Sequence, residues 1–137
     1  MKNKYNFLLI SLVLLAAILL SAGLSSCTTK PAAGTLIISA PEAYQLYQDD
    51  VFVLDVRTPE EYQDNHLPGA TLIPLEQLGV RYGELPQDET ILVYCRTGNR
   101  SLQAVYLLET AGFNRVHSLD RGLNNWIQNG FEVEDGE

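Results

Sequence analysis

Short apolar runs alternate with amphipathic, helix-like segments after residue 34, and this alternation limits the possible folds more than any other feature of the chain. The strand-like runs lie at residues 35–38, 51–56, 70–73, 91–94 and 115–119. None exceeds six residues, which is the usual length of a buried strand. Strands and helices in alternation predict an α/β domain whose sheet is mostly parallel.

Two helix-start signals stand between these runs. Ser39 and Glu42 have the spacing of a capping box, in which a Glu side chain accepts a hydrogen bond from the backbone N–H of the capping residue. Thr58 and Glu61 repeat this spacing, with Pro59 at the favoured first helical position. A helix is therefore predicted after each signal.

Three more helices are predicted downstream, at residues 75–80, at 101–111 and around residues 123–129. The second places these apolar side chains on or near one face: Leu102, Val105, Tyr106 and Leu108. The third groups the following side chains as core: Leu123, Trp126 and Ile127. Gly112 and Gly130 are typical helix ends.

The first 26 residues differ from the rest of the chain and have the pattern of a secretory signal peptide. Lys2 and Lys4 precede an apolar run at residues 7–20, which small residues close before Cys27. The ending L-S-S-C resembles the lipobox of bacterial lipoproteins, which implies a lipid on Cys27. An uncleaved transmembrane anchor at residues 5–24 is the alternative. Either reading predicts an exported domain tethered to a membrane of the cell envelope.

The predicted organisation therefore has four parts. Residues 1–26 are the signal peptide, residues 27–34 the lipidated cysteine and a linker, residues 35–134 the folded domain, and residues 135–137 an acidic tail. From Cys27 onward, 7 Lys and Arg stand against 17 Asp and Glu, a net charge of about −10. Nucleic acids and anionic lipid surfaces are bound mainly through Lys and Arg, so this balance argues against both as partners.

Two polar clusters lie at the carboxyl ends of strand-like runs. Asp55 and Arg57 lie at the end of one run, and residues 95–100 (C-R-T-G-N-R) follow another. In open parallel sheets, ligands bind at the carboxyl ends of the strands. Both clusters are therefore candidates for a functional site.

Residues 95–100 have the composition of a loop that activates a thiol. A thiol attacks as thiolate, and its pKa falls beside cations and at helix amino termini. Arg96 and Arg100 supply cations, a predicted helix follows, and Gly98 lets the backbone turn so that its N–H groups face one anion. Cys95 is thus the candidate nucleophile, and Cys27 is not available to it as a disulfide partner if it carries the lipid.

Four motifs give the chain a resemblance to a known family. They are L-D-V-R-T-P-E-E-Y at 54–62, H-L-P-G-A at 66–70, V-Y-C-R-T-G-N-R-S at 93–101 and L-D-R-G-L-N-N-W at 119–126. In this order they resemble the motifs of rhodanese domains. The resemblance implies a rhodanese-like three-layer α/β domain, with a central, mostly parallel sheet of about five strands flanked by helices.

The resemblance also implies an activity. A sulfane sulfur passes from a donor such as thiosulfate to Cys95, which holds it as a persulfide, and a thiophilic acceptor then removes it. The acceptor is a small thiol-like molecule or a protein, and neither a metal nor an organic cofactor is implied. A persulfide carrier or binding module for a protein partner, with little thiosulfate turnover, is the alternative. Phosphatases and arsenate reductases of this fold resemble C-x5-R, whereas Cys95 and Arg100 form C-x4-R, which favours sulfur transfer.

The remaining candidates surround Cys95. Thr97 and Asn99 are expected to shape the pocket mouth, and Arg96 to face outward towards anionic donors. Arg100 either lines the pocket or braces the loop. Asp55 and Arg57 are expected to pair with each other or with the loop.

One position departs from the family pattern, which commonly has two glycines after the last strand. Arg121 occupies the first of these positions, where it either recruits anionic donors or narrows the entrance. His66 and His117 are interpreted as packing or hydrogen-bonding residues. The His and Cys spacing does not indicate zinc.

Overall fold

A computed structural model describes residues 36–136 of the chain. The predicted signal peptide, the lipidation of Cys27 and the linker lie outside these residues and stay predictions. Between residues 36 and 136, no helix combines the length and apolar character needed to cross a bilayer.

Five strands form one sheet in which every neighbouring pair is parallel. They are β1 (Ile37–Ile38), β2 (Phe52–Asp55), β3 (Thr71–Leu72), β4 (Ile91–Tyr94) and β5 (Val116–Leu119). Their spatial order is β1-β5-β4-β2-β3, so β4 is the central strand. The predicted α/β class and the parallel five-stranded sheet are confirmed.

Helices follow the strands and cover both faces of the sheet. They are α1 (Ala40–Gln48), α2 (Pro59–Asp64), α3 (Leu75–Arg81), α4 (Asn99–Thr110) and α5 (Gly122–Gln128), with a 3₁₀ turn at Tyr82–Glu84. Helices α1 and α5 pack on one face, and α3 and α4 on the other. This produces the three layers that the resemblance implied.

The central strand shows why the sequence of a buried strand is apolar at every position. Successive side chains of a strand point to opposite faces of the sheet. Ile91 and Val93 pack in the core beneath α3 and α4, whereas Leu92 and Tyr94 pack in the core beneath α1 and α5. All four are fully buried, as expected for a parallel sheet with helices on both faces.

Both predicted capping boxes form. The Glu42 carboxylate accepts from the Ser39 backbone N–H at 2.9 Å. At the start of α2, the Glu61 carboxylate accepts from the Thr58 N–H at 3.1 Å, and the Thr58 hydroxyl oxygen accepts from the Glu61 N–H at 3.3 Å. These bonds satisfy N–H groups that have no partner within a helix.

Three details of the helix predictions were wrong. Helix α4 begins at Asn99, two residues before the predicted start at residue 101, because the backbone already turns at Gly98. Its buried face is formed by Ser101, Ala104, Val105 and Leu108. Tyr106, predicted on or near the apolar face, and Ile127, predicted as core, are both about half exposed. At 100° per residue, each lies more than about 100° around its helix from the middle of the buried face.

Candidate active site

Cys95 follows the last residue of the central strand and lies at the base of a loop. Cys95 is buried, with 1% exposure, and lies at the carboxyl end of the central strand. The loop runs directly into α4, so the first turn of that helix faces the cysteine. The sheet therefore presents the thiol where parallel sheets bind their ligands.

Hydrogen-bond donors converge on the sulfur of Cys95. The Gly98 N–H donates to Sγ at 3.1 Å, and the backbone N–H groups of Thr97 and Ser101 also point to it. Gly98 has a φ of 94°, a conformation that glycine adopts without strain and that turns the N–H groups inward. Burial raises the pKa of the Cys95 thiol, but these donors outweigh burial and lower it below its ordinary value of 9.

A pair of serines lies beneath the sulfur, and the sequence analysis missed both. Ser101 Oγ lies 3.7 Å from Cys95 Sγ and 2.8 Å from Ser118 Oγ, and it donates to the Gly98 carbonyl at 3.0 Å. Ser101 thus offers the thiolate its backbone N–H, and its hydroxyl proton can turn from the Gly98 carbonyl to the sulfur once the thiol has lost its own proton. Ser101 is the last residue of the motif at 93–101, and like Ala104 it is a small residue on the buried face of α4. Neither feature indicated a contact with the sulfur.

One carboxylate holds both arginines of the loop. Arg100 donates to the two oxygens of Glu61 at 2.7 and 2.8 Å, and Arg96 Nε lies 3.1 Å from the same carboxylate. The Arg100 side chain is 33% exposed and that of Arg96 is 56% exposed. The hydrogen bonds to Glu61 raise the pKa of Arg100, and the charge of Cys95 and a hydrogen bond to it raise the pKa further. Arg100 therefore braces the loop and also reaches the sulfur. Arg96 faces outward as predicted, although it is paired.

Glu61 is the third residue of the site, after Ser101 and Ser118, that the sequence did not identify. The hydrogen bonds from Arg100, helped by the Thr58 N–H and the charge of Arg96, lower the pKa of Glu61 to about 2 despite partial burial. The capping spacing had placed this carboxylate at the start of α2. That local role is real, but the same two oxygens also hold a loop 39 positions away.

The outer side of the loop rests on the start of α5. The Leu123 N–H donates to the Cys95 carbonyl at 2.7 Å, and the Asn124 N–H donates to the Arg96 carbonyl at 3.2 Å. Gly122 makes this contact possible, because a Cβ there would collide with the Cys95 carbonyl oxygen. The loop backbone is thus held on both sides, which keeps its N–H groups aimed at the sulfur.

Arg121 lies beside the loop in a conformation unusual for its residue type. Its φ of 54° is left-handed, which costs a non-glycine residue about 1–2 kcal/mol. Its side chain is 68% exposed, and its Nε lies 3.5 Å from the half-exposed carboxylate of Asp120. A Cβ placed on Gly98 would lie 3.0 Å from the Arg121 nitrogen, so the two backbones are in contact. The structure thus places Arg121 at the loop, as predicted.

Thr97 and Asn99 complete the loop. Both are exposed, consistent with positions at its outer edge. The contribution of Thr97 to the sulfur comes from its backbone N–H, as expected.

Asp55 and Arg57 pair with each other. Arg57 donates to both carboxylate oxygens of Asp55 at 2.6–3.0 Å, and to the Asn65 carbonyl at 2.6 Å. Both side chains are at most 2% exposed, and the guanidinium lies over the Tyr94 ring. The structure therefore selects mutual pairing from the two alternatives.

Both histidines are buried. His66 Nδ1 lies 2.9 Å from the Tyr62 carbonyl, its ring stacks on Tyr62, and Nε2 lies 3.1 Å from Glu134. Glu134 also pairs with His66 through two backbone hydrogen bonds, so the acidic end of the domain docks here although its carboxylates are exposed. His117 is a buried residue of β5. Within residues 36–136, no group of three or more His, Cys, Asp and Glu side chains could hold a metal.

This geometry can stabilise a single negatively charged sulfur. Three backbone N–H groups and one hydroxyl surround Sγ, and three arginines ring the loop that carries it. Such a site favours the thiolate, and it favours a reactant with a negatively charged group next to the atom that the thiolate attacks.

Comparisons with known proteins agree with the fold and the loop. The family described as rhodanese-like domain matches residues 39–129. A sulfurtransferase of Allochromatium vinosum is 35% identical over 85 residues, which cover 62% of this chain and 79% of that protein.

Solved structures with the same fold include two informative ones. A rhodanese-related protein of Thermoplasma volcanium superposes with a TM-score of 0.68 at 31% identity, over 72% of this chain and 97% of its own. A thiosulfate sulfurtransferase of Pseudomonas aeruginosa gives a TM-score of 0.68 at 30% identity, over 75% of this chain but only 21% of its own. The second protein is therefore much longer than the domain it shares.

Proposed function

This chain belongs to the rhodanese-like domain family, and from that premise we propose that it is a sulfurtransferase that carries a sulfane sulfur as a persulfide on Cys95. The observation that carries the proposal is the convergence of donors on Sγ, with the Gly98 N–H at 3.1 Å. A buried thiol without such donors would have a raised pKa and little nucleophilicity. Here the donors lower the pKa instead.

The proposed reaction has two displacements. The Cys95 thiolate attacks the outer sulfur of a thiosulfate-like donor; a new S–S bond forms, and the old one breaks with its electron pair leaving on sulfite. A thiophilic acceptor then attacks the outer sulfur of the persulfide, and the thiolate is regenerated. The loop N–H groups are suited to hold the negative charge on sulfur at each stage, and no proton need be moved by His66.

The donor is proposed to be a small anion. The arginines ringing the loop favour an anionic reactant. The similarity to a protein named thiosulfate sulfurtransferase supports thiosulfate as a donor. The acceptor is a thiol or a protein that takes the sulfur onward.

The proposed location is the cell envelope, with the domain exported and held to a membrane by a lipid on Cys27. The L-S-S-C ending of the leader supports this. Mass spectrometry of the chain isolated from membranes tests it. A mature protein that begins at Cys27 and carries the mass of a lipid is expected. An intact leader would instead favour the transmembrane anchor.

Intact-mass spectrometry tests the sulfur chemistry. The full chain in detergent is treated with thiosulfate, beside Cys95→Ser, and then with cyanide. We expect the mass of one sulfur to appear on the wild type only and to be removed by cyanide. No adduct from thiosulfate or other sulfane donors would contradict sulfur transfer.

The rate of thiocyanate release then separates an enzyme from a carrier. Repeated turnover supports the enzyme, whereas loading of Cys95 with little turnover supports a persulfide carrier that serves a protein partner. Hydrolysis of an aryl phosphate without any sulfur adduct would favour the phosphatase chemistry found on this fold.

A further inference from the structure

Arg121 differs from the other two arginines of the loop in how its charge is used. Arg100 donates through two nitrogens to Glu61, and Arg96 contacts the same carboxylate at 3.1 Å. The Arg121 guanidinium has only a 3.5 Å contact with Asp120, and its side chain is the most exposed of the three, at 68%. A long contact to an exposed carboxylate is readily exchanged for another anion.

The backbone of Arg121 lies against the Cys95 loop, which keeps its charged side chain near the sulfur. Its nitrogen and Cα lie against Gly98, whose N–H donates to Cys95 Sγ at 3.1 Å. The next residue, Gly122, lies against the carbonyl of Cys95. The backbone that carries the Arg121 side chain is therefore in contact with the Cys95 loop.

The conformation of Arg121 is also costly. Its φ is 54°, which glycine would adopt without strain. The exposed Arg121 side chain makes no buried contact that would offset this strain. The chain as a whole carries 9 Lys and Arg against 17 Asp and Glu, so its overall charge repels anions. A local cation beside the thiolate offsets that repulsion where the donor must approach.

We propose that Arg121 is a specificity-determining residue, which binds the anionic group of the incoming sulfur donor and selects donors with two negative charges over donors with one. The proposal rests on the sulfur transfer proposed above and extends it to the choice of donor. Of the two roles that the sequence left open, it assigns recruitment rather than obstruction.

Two donors that transfer sulfur by the same step provide the test. Thiosulfate has two negative charges and releases sulfite; methanethiosulfonate has one and releases methanesulfinate. With each, the Cys95 thiolate takes the outer sulfur, and the electron pair of the broken S–S bond leaves with the other fragment. Thiocyanate release by the full chain in detergent gives kcat/KM for both, at low and high ionic strength.

Arg121→Gln should lower kcat/KM for thiosulfate roughly 3- to 10-fold, mainly through KM, because one charge-assisted contact is lost. The change with methanethiosulfonate should be smaller, and high salt should narrow the difference between wild type and variant. Arg121→Gly removes the same charge and also removes the strain of a positive φ. It should therefore raise KM for thiosulfate without lowering the urea midpoint of unfolding. This second variant excludes misfolding as the cause.

Arg115→Gln is the matched control, because it removes an exposed charge just before β5, at the opposite end of the strand from Arg121. Arg115→Gln should leave kcat/KM unchanged for both donors. Equal losses in the two Gln variants, no loss in Arg121→Gln, or faster turnover in Arg121→Gly would overturn the assignment. If the wild type takes up no sulfur from either donor, the proposed function itself fails.

Discussion

Two polar clusters follow adjacent strands of the sheet, and they differ in what their charges face. At the end of β2, Asp55 and Arg57 are at most 2% exposed and satisfy one another. At the end of β4, the loop of Cys95 aims its N–H groups at one sulfur and leaves its arginines at least one-third exposed. We call these the closed pair and the open loop.

The difference shows how a structural cluster is distinguished from a functional one when the sequences look alike. Both clusters place charged residues directly after a buried strand. In the closed pair, both carboxylate oxygens and two of the guanidinium nitrogens are hydrogen-bonded, and both side chains are buried, so neither is open to a ligand. In the open loop, donors converge on an atom that can change its charge and its bonds. The closed pair is therefore expected to govern stability, and the open loop reactivity.

The largest expected effect is on the closed pair. Arg57→Gln leaves the buried Asp55 carboxylate without its partner, which should lower the free energy of unfolding by about 3–5 kcal/mol. Urea denaturation measures this. Arg81→Gln is the control: it breaks an ion pair of the same residue types at the surface, with Glu84, and should leave the urea midpoint near that of wild type.

The same variant can also break the comparison. Sulfur uptake per folded molecule should be unchanged in Arg57→Gln, because neither member of the closed pair faces Sγ. A variant that keeps its stability but takes up no sulfur would assign Arg57 to the reaction instead.

An intermediate effect is expected for Glu61, which joins α2 to the open loop. Glu61→Gln should cost about 1–3 kcal/mol of stability at neutral pH and slow sulfur uptake several-fold, because Arg96 and Arg100 lose their shared anchor. Glu60→Gln removes the same charge from the neighbouring exposed residue of the same helix turn, and should change stability less and leave sulfur uptake at the wild-type rate.

The pH dependence sharpens this prediction. Because the pKa of Glu61 is lowered from 4.5 to about 2 in the folded chain, its stabilisation is complete above pH 4.5 and is lost as the pH falls towards 2. The gap between wild type and Glu61→Gln in urea midpoints should therefore be larger at pH 7 than at pH 3. A gap that stays constant with pH would show that the ion pair is not its source.

The smallest expected effect concerns the pKa of Cys95. Ser101→Ala removes a hydroxyl that favours the thiolate, so the pKa should rise and alkylation of Cys95 at neutral pH should slow about two- to fivefold. The rate of iodoacetamide labelling against pH reports the midpoint, which in wild type should lie below 9. Thr97→Ala loses a hydroxyl but keeps its N–H, and should match wild type.

Prediction from sequence succeeded where the signal was local. The apolar runs gave the strands to within a few residues, the capping spacings gave the starts of α1 and α2, and the loop composition identified the cysteine that the structure surrounds with donors. It failed where the answer depended on the angle around a helix. Tyr106 and Ile127 are apolar by type, yet they point away from the sheet.

The functional neighbours that were missed share one property. Ser101, Ser118 and Glu61 act through contacts with residues distant in the chain, or through a packing position that many residue types can occupy. Glu61 is the plainest case, since its capping role fully explained its place in the sequence. Only the fold shows that its carboxylate also meets the guanidinium of Arg100 at 2.7 Å.

By itself the sequence determined the order of strands and helices, the loop that follows the fourth strand, and Cys95 as the candidate nucleophile, because each depends on neighbours within a few positions. The tertiary structure decided which charges meet. In the folded chain Asp55 pairs with Arg57, and Arg96 and Arg100 share the Glu61 carboxylate. Arg121 stays exposed beside the loop. The physical reason is that a charged side chain reaches several ångströms, and its partner is set by the packing of elements and not by distance along the chain.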